Sequence, residues 1–197
     1  MNRKYILGFL ILAILVITGG VYIWKISFVP EAKNQLPGSL QKAVSQVEKA
    51  GTPEVGSDWK PYQPKKLQLT FKYPPNLLIQ ETSDGIHIYA NTPENRAFIQ
   101  NPSEYEGSRP GMSFRLIDSN QTPEDFAQKS FPDQPKATVT LFGGKALVLA
   151  GQGMDQWDMI LFSHDHALYQ ITIQYASLND PARKTFYGIL SSVHFLQ

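Results

Sequence analysis

His164, Asp165 and His166 are the residues of this chain whose types could most readily bind a metal ion. Two imidazoles and a carboxylate are ligands that zinc, copper and nickel accept. A protein zinc site, however, commonly gathers three or four ligands in fixed geometry, and three consecutive residues cannot converge on one ion without an unusual backbone. We therefore interpret these residues as the tip of a β-hairpin and keep the metal site as the alternative.

The residues on both sides of this tip favour the hairpin because apolar and polar residues alternate there. The segments "WDMILFS" (157–163) and "ALYQITIQYA" (167–176) are typical of β-strands. A two-residue turn at Asp165-His166 or at His164-Asp165 would continue one apolar face across the pair, and Asp tolerates turn geometry. The residues that would share this face are Ile160, Phe162, Tyr169, Ile171 and Ile173.

Signatures of other chemistry are missing from the sequence. It contains no G-x-S-x-G and no H-E-x-x-H, and the segment 143–146 (GGKA) lacks the upstream glycine and the Ser or Thr of a phosphate-binding loop. The chain has no cysteine, which excludes disulfides, thiolate metal ligands and cysteine nucleophiles. Asp155 and Asp158 flank Trp157 and are interpreted as a solvated turn rather than a cation site. We therefore expect neither an enzyme nor a bound cofactor.

The N-terminal segment predicts a membrane anchor. Residues 5–24 (YILGFLILAILVITGGVYIW) carry no charge, and a helix of this length spans about 30 Å, the thickness of a bilayer core. A cleaved secretory signal is the alternative, but the apolar run exceeds the roughly 7–15 residues of such signals and no A-x-A-like site follows. Because Arg3 and Lys4 precede the span, we expect a single-pass protein with a cytoplasmic N-terminus and an extracytoplasmic remainder.

Proline spacing divides the rest of the chain into a stalk and a domain. Residues 29–64 contain five prolines and few large apolar residues, and within them 39–50 (SLQKAVSQVEKA) is interpreted as a partly helical spacer. We therefore assign 1–28 to the anchor, 29–64 to the stalk and 65–197 to the folded domain. This domain carries eleven basic and thirteen acidic side chains, so it lacks the positive field that nucleic-acid binding needs.

Short β-type runs and separate helices predict an α+β domain. Strands are expected in hairpins around the turns at 83–85 (SDG) and 143–144 (GG) and around the histidine tip. Helices are expected at 122–130, which opens with Thr-Pro, and in the C-terminal segment 180–195. This order of elements predicts an α/β/α sandwich around a mainly antiparallel sheet, preceded by one transmembrane helix.

Five short motifs resemble, in this order, the PsbP-like superfamily, which includes the extrinsic photosystem II protein. They are "FKYPP" (71–75), "TPEDF" (122–126), "GGKALVL" (143–149), "ALYQITI" (167–173) and "GILSSVHF" (188–195). The resemblance implies an α/β/α sandwich and a non-enzymatic role in binding or assembling other components. It implies no functional residue, because these motifs are the framework of strands and turns.

An anchor, a stalk and a sandwich without catalytic residues together predict the function. The first hypothesis is a membrane-anchored, extracytoplasmic, non-catalytic binding or assembly domain that contacts a protein or envelope partner through its loops. Residues 92–110 are interpreted as a long irregular loop, and Phe98 and Tyr105 within it are the candidates for the partner surface. The alternative is a small-molecule or metal-ion binder, or a cryptic hydrolase, with a cleft between sheet and helix.

Overall fold

In the computed structural model, residues 36–49, 55–101, 110–117, 120–152 and 156–196 are described. They belong to a unit that extends from Leu36 to Gln197. Within these ranges no helix is long and apolar enough to cross a membrane. The predicted span at 5–24 and the partner-surface candidate Tyr105 lie outside the described residues.

Four helices and ten strands make up the described part of the chain. The helices are α1 (Gly38–Lys49), α2 (Pro93–Gln100), α3 (Pro123–Ser130) and α4 (Pro181–Ser191). The first five strands are β1 (Lys60–Tyr62), β2 (Leu69–Tyr73), β3 (Leu77–Glu81), β4 (Gly85–Ala90) and β5 (Gly111–Ile117). The other five are β6 (Lys136–Leu141), β7 (Gly144–Gln152), β8 (Gln156–His164), β9 (Ala167–Tyr175) and β10 (His194–Phe195).

Seven strands form the main sheet, in the order β3-β4-β5-β9-β8-β7-β6, and every pair in it is antiparallel. The strand β8 is buried continuously from Asp158 to Phe162, so both faces of the sheet are covered at its centre. Helices α1 and α4 pack on one face and α3 on the other. These observations confirm the predicted α+β class and the antiparallel sheet.

Each face of the sheet has its own apolar core because side chains alternate along a strand. The larger core lies under α1 and α4 and includes Ile160, Phe162, Tyr169, Ile171 and Ile173, which confirms the predicted shared face. The smaller core lies under α3 and is formed by Ala127, Leu147, Leu149, Met159 and Leu161. The two cores hold the helices on opposite sides of one sheet.

The segment predicted as a stalk is part of the domain from Leu36 onward. Helix α1 buries Leu40, Ala43 and Val47 completely against the sheet, where it contacts β6 and β7. Strand β1 pairs with β2, which also pairs with β10 in a second, three-stranded antiparallel sheet. The compact unit therefore begins at Leu36, ahead of the boundary expected at residue 65, because the apolar stripe of α1 covers part of the core.

Within the segment 92–110, which was predicted to be an irregular loop, Pro93–Gln100 forms a helix. Thr92 is the N-cap of α2, its side chain accepts a hydrogen bond from the Asn95 main-chain N–H, and Pro93 is the first helical residue. The same arrangement of Thr122 and Pro123 opens α3, where the sequence prediction is confirmed. The chemistry of a Thr-Pro cap therefore predicts both helices.

The C-terminal prediction holds for the helix but not for its end. Helix α4 begins after the N-cap Asp180, as predicted, and ends at Ser191. His194 and Phe195 then form β10, which pairs with Thr70 and Leu69 of β2. The residues that follow α4 therefore add a strand to the small sheet.

The turn between β6 and β7 lies one residue earlier than predicted. Phe142 and Gly143 both have positive φ, at 52° and 77°, while Gly144 already belongs to β7 and pairs with Leu141. Two consecutive positive φ angles match the right-handed twist of the flanking strands. The phenyl ring of Phe142 contacts Phe162 and Phe195, which gives a bulky residue a reason to occupy this position.

Gly85 is required for close approach and not for a left-handed turn. Its φ is not positive, and a Cβ built at this position would collide with the main-chain carbonyl of Phe114 on the neighbouring strand β5. Gly144 begins β7 in the equivalent place, and a Cβ there meets nothing closer than Leu141 O at 3.9 Å.

We expect Gly85→Ala to lower the free energy of unfolding by about 2–3 kcal/mol, because the two strands must separate to admit a methyl group. The matched substitution Gly144→Ala should cost nothing measurable, since the methyl group enters open space. Urea unfolding followed by tryptophan fluorescence measures both. Equal stability of the two variants would show that the Gly85 contact relaxes without cost.

Candidate functional site

A cavity of about 900 Å³ lies between α1 and α4, beside the turn that precedes β1. We call it the basic groove. Its lining includes Lys42, Gln46 and Lys49 of α1, Trp59 of the turn, Asp180 at the start of α4 and Lys184 within it. Apart from the helix cap Asp180, none of these residues was singled out by sequence reasoning, because they converge only when the chain folds.

Helix α1 presents one face to the core and another to the groove. Lys42, Gln46 and Lys49 are spaced i, i+4 and i+7, so they follow one another along the same side of the helix. The buried residues Leu40, Ala43 and Val47 follow a second stripe. The polar stripe is visible in the sequence, but only the position of α4 shows that it lines a cavity.

Trp59 forms an aromatic wall of the groove and is fixed by its own turn. The Trp59 main-chain N–H donates to Gly56 O at 3.2 Å. A Cβ at Gly56 would lie 2.7 Å from the indole Cδ1 and Nε1, so the ring packs directly over the glycine backbone. The indole is therefore held in place by a contact that only glycine permits.

Asp180 is the acidic residue among the described residues that line the groove, and local main-chain groups occupy it. Its carboxylate accepts hydrogen bonds from the Ala182 N–H at 2.9 Å and from the Ala176 N–H at 3.1 Å. From α1, the Lys42 ammonium donates to the side-chain oxygen of Asn179, just before α4, at 2.7 Å. Lys42, Lys49 and Lys184 and the capping carboxylate of Asp180 are the lysines and the acid among the described residues that line the groove.

A buried ion pair lies beneath the groove. The Asp158 and Arg183 side chains are 0% and 4% exposed, and Arg183 donates to Asp158 Oδ2 from Nε at 2.9 Å and from Nη2 at 2.7 Å. The Tyr175 hydroxyl donates to Oδ1 and the Tyr187 hydroxyl to Oδ2, each at 2.8 Å. Both carboxylate oxygens are therefore occupied by hydrogen bonds.

This network corrects the interpretation of Asp158 as part of a solvated turn. Asp158 lies within β8 and points to the side of the sheet that α4 covers. The guanidinium of Arg183 also lies 4.8 Å from the centre of the Tyr175 ring and 5.3 Å from that of Tyr187. Burial, followed by the charge of Asp158, raises the pKa of Tyr175 and of Tyr187 well above the ordinary value.

The histidine tip is the hairpin turn that the sequence predicts. Asp165 and His166 occupy the two central positions with φ of 47° and 64°, and His164 pairs with Ala167. The His164 ring stacks on Phe195, with 3.8 Å between ring centres, and its Nε2 lies 3.5 Å from Asp165 Oδ2. Among the described residues, no group of three histidines, cysteines or acids is placed to hold a metal ion.

The other predicted contact residue belongs to a packed edge of the sheet. Phe98 of α2 contacts Tyr89 of β4 edge to face, with 5.9 Å between ring centres, and is half-buried.

Beside Tyr89 the sheet carries a smaller polar cavity of about 190 Å³, lined by His87, Arg115 and Gln170 among others. Burial lowers the pKa of His87 below its ordinary value.

Comparisons with known proteins find similarity among solved structures. No family model matches this chain, and no curated protein sequence matches it. Among solved structures, it is similar to the solution structure of cyanobacterial PsbP (CyanoP) from Synechocystis sp. PCC 6803. The TM-score is 0.42 at 13% sequence identity, over 72% of this chain and 95% of that chain. At this level of similarity, membership of the PsbP-like superfamily stays a prediction.

We expect Asp158→Asn to lower the free energy of unfolding by about 3–5 kcal/mol, because it leaves the Arg183 charge buried without a counter-charge. The matched control is Asp84→Asn, which removes the negative charge that pairs with Arg115. In that ion pair the side chain of Asp84 is 34% exposed and that of Arg115 is 43% exposed. Water screens that pair, so its loss should cost less than about 1 kcal/mol. Urea unfolding at neutral pH measures both variants, and equal losses would contradict the structural role of the buried pair.

Alkaline pH should destabilise the domain through the same network. Because the pKa values of Tyr175 and Tyr187 are raised in the folded state, these tyrosines stay protonated where the unfolded chain has begun to ionise, above pH about 10. Each then reduces stability by up to about 1.4 kcal/mol per pH unit as pH rises. Unfolding free energies measured from pH 9 to 11 should fall less steeply in Tyr175→Phe/Tyr187→Phe than in the parent chain; parallel slopes would contradict the raised pKa values.

Proposed function

We propose that this chain is a non-catalytic binding domain and that the basic groove is its binding site. The observation that carries the proposal is the cavity of about 900 Å³ itself, bounded by two helices and a fixed indole ring. Concave sites of a few hundred to about 1,000 Å³, apolar with a few placed polar groups, are where proteins hold ligands.

The groups around the groove favour binding over catalysis. Acid and base catalysis needs a carboxylate or imidazole within hydrogen-bond reach of a reacting atom. Asp180 caps α4, and both oxygens of Asp158 are engaged by Arg183 and two tyrosines. Lys42, which donates one of its three N–H groups to Asn179, can attract an anion without reacting with it.

The surface also favours a concave site over a flat apolar one. Among the described residues, Leu196 is the exposed large apolar side chain, at 37%. Protein partners that dock through a broad apolar patch need several such residues side by side. Phe98, one of the two candidates for that role, packs on Tyr89, so we assign binding to the groove.

The sequence also supports a location of this domain in the cell. An uncharged stretch at 5–24 preceded by Arg3 and Lys4 supports a membrane anchor with the domain on the extracytoplasmic side. A tethered binding domain would then hold a component of the envelope or of the extracytoplasmic space. The resemblance to PsbP-like proteins is consistent with this non-enzymatic role.

Photo-crosslinking in intact cells tests the proposal. A photoreactive residue at Gln46, inside the groove of the full-length chain, should yield an adduct of one defined mass, measured on the purified protein. The same residue at Lys129, on α3 at the opposite face of the sheet, should yield none. The Gln46 adduct should disappear in Lys42→Glu/Lys184→Glu, because reversed charges repel an anionic ligand. An adduct that survives charge reversal, or none at Gln46, would contradict the proposal.

A further inference from the structure

We propose that the polar cavity beside Tyr89 is a second binding site, which takes a neutral monosaccharide. This site goes beyond the function proposed above, because it lies on the other face of the main sheet from the basic groove. Strands β4, β5 and β9 form the cavity, and helix α3 covers β7 and β8 on the same face. The hydrogen-bonding groups, the charge and the size of the cavity each contribute to this assignment.

Alternation along the strands turns polar side chains to this face. On β5, Ser113 lies between Met112 and Phe114, which are buried in the larger core. Its side chain therefore faces away from that core, and so does that of Thr172, its partner on β9. Thr172 in turn pairs with Met159 of the smaller core. The face that is apolar under α3 thus becomes polar at β9 and β5, where the cavity lies.

Buried hydroxyl and amide groups line the cavity. Ser113 and Gln170 are each 8% exposed. A buried hydroxyl ordinarily has a hydrogen-bond partner, but none of the described residues bonds to the hydroxyl of Ser113, which can therefore bond to a ligand. Gln170 donates from Nε2 to the Thr172 hydroxyl at 3.0 Å, which leaves its carbonyl oxygen and its second N–H for a ligand.

The lining favours a neutral ligand over an ion. Arg115 is the charged residue among the described residues of the lining, and its Nε and Nη2 each lie 2.6 Å from Asp84 Oδ2, which neutralises it. Burial lowers the pKa of His87, so at neutral pH the ring is uncharged and offers one donor and one acceptor. An ion in this cavity would lose hydration without gaining a counter-charge of its own.

A sugar ring fits both the groups and the space. Hydroxyl and amide side chains donate and accept hydrogen bonds, as each hydroxyl of a sugar does. The volume of about 190 Å³ equals that of about six water molecules at about 30 Å³ each, which suits one ring and not a chain of rings. The Tyr89 ring packs on Gly111, where a Cβ would lie 3.1 Å from its Cδ1, and forms a fixed apolar wall for the carbon-bound hydrogens of the ligand.

The experiment is a nuclear magnetic resonance titration of the full-length chain, held in an uncharged detergent that has no sugar headgroup. The probes are glucose, galactose, mannose and N-acetylglucosamine. At least one should cause saturable shifts of the main-chain N–H signals of Ser113 and Thr172, while that of Gln46 in the basic groove stays unchanged. Cyclohexanol, which has a ring of the same size but one hydroxyl, should bind at least about tenfold more weakly because it loses several hydrogen bonds.

Ser113→Ala separates binding from folding. Because the Ser113 hydroxyl bonds to none of the described residues, its removal should leave the thermal unfolding midpoint unchanged. The same variant should weaken sugar binding about fivefold, the effect of one neutral hydrogen bond. Ser163→Ala, at an exposed position of β8 that does not line the described cavity, should change neither. Unchanged affinity in Ser113→Ala would overturn the assignment.

A free sugar and the end residue of a glycan share this chemistry, and the methyl glycosides of the same sugars distinguish them. Equal binding of glycoside and free sugar assigns the cavity to the end of a glycan, and a glycoside about tenfold weaker assigns it to a free sugar.

Two further results would overturn the assignment. One is that none of the sugars shifts the Ser113 and Thr172 signals. The other is that glucuronate binds more tightly than glucose and loses this advantage in Arg115→Gln, which would make the cavity an anion site. The Gln46 crosslink is independent of both results, because the basic groove and the polar cavity lie on opposite faces of the sheet.

Discussion

Removing Asp158 and Arg183 from water costs hydration free energy that only close pairing can offset. In this domain the pairing is complete, because two guanidinium nitrogens and two tyrosine hydroxyls satisfy both carboxylate oxygens. The four residues come from β8, β9 and α4, so a single arrangement of these elements brings them together. A helix that slid or rotated on the sheet would leave a buried charge unpaired, which fixes α4 in one position.

The position of α4 in turn defines the groove. Arg183 points into the core while Lys184, the next residue, lines the cavity, so the same turn of helix both attaches to the sheet and faces the groove. Helix α1 lies on the neighbouring strands β6 and β7 and contacts α4 directly. The distance between the two sets of lysines is therefore set by packing in the core, as expected of a preorganised site.

Local chemistry predicts much of this fold, and long-range convergence explains the rest. The Asp165-His166 turn and the helix after Thr122 depend on neighbouring residues alone, and both are confirmed. Asp158 could not be assigned from sequence because its partner lies 25 residues away on another element. Lys42 and Lys184 line the same groove although they are far apart in sequence. No short sequence pattern indicates that two such residues meet.

Helix α1 has a practical consequence for anyone who divides this chain. Leu40, Ala43 and Val47 cover β6 and β7. A shortened domain that begins at residue 60 or 65 would therefore expose the apolar surface of these two strands to water. Exposed apolar surface beside the edge strand β6 would promote self-association of the fragment. Solubility of the isolated domain therefore depends on twelve residues that, in sequence, resemble a tether.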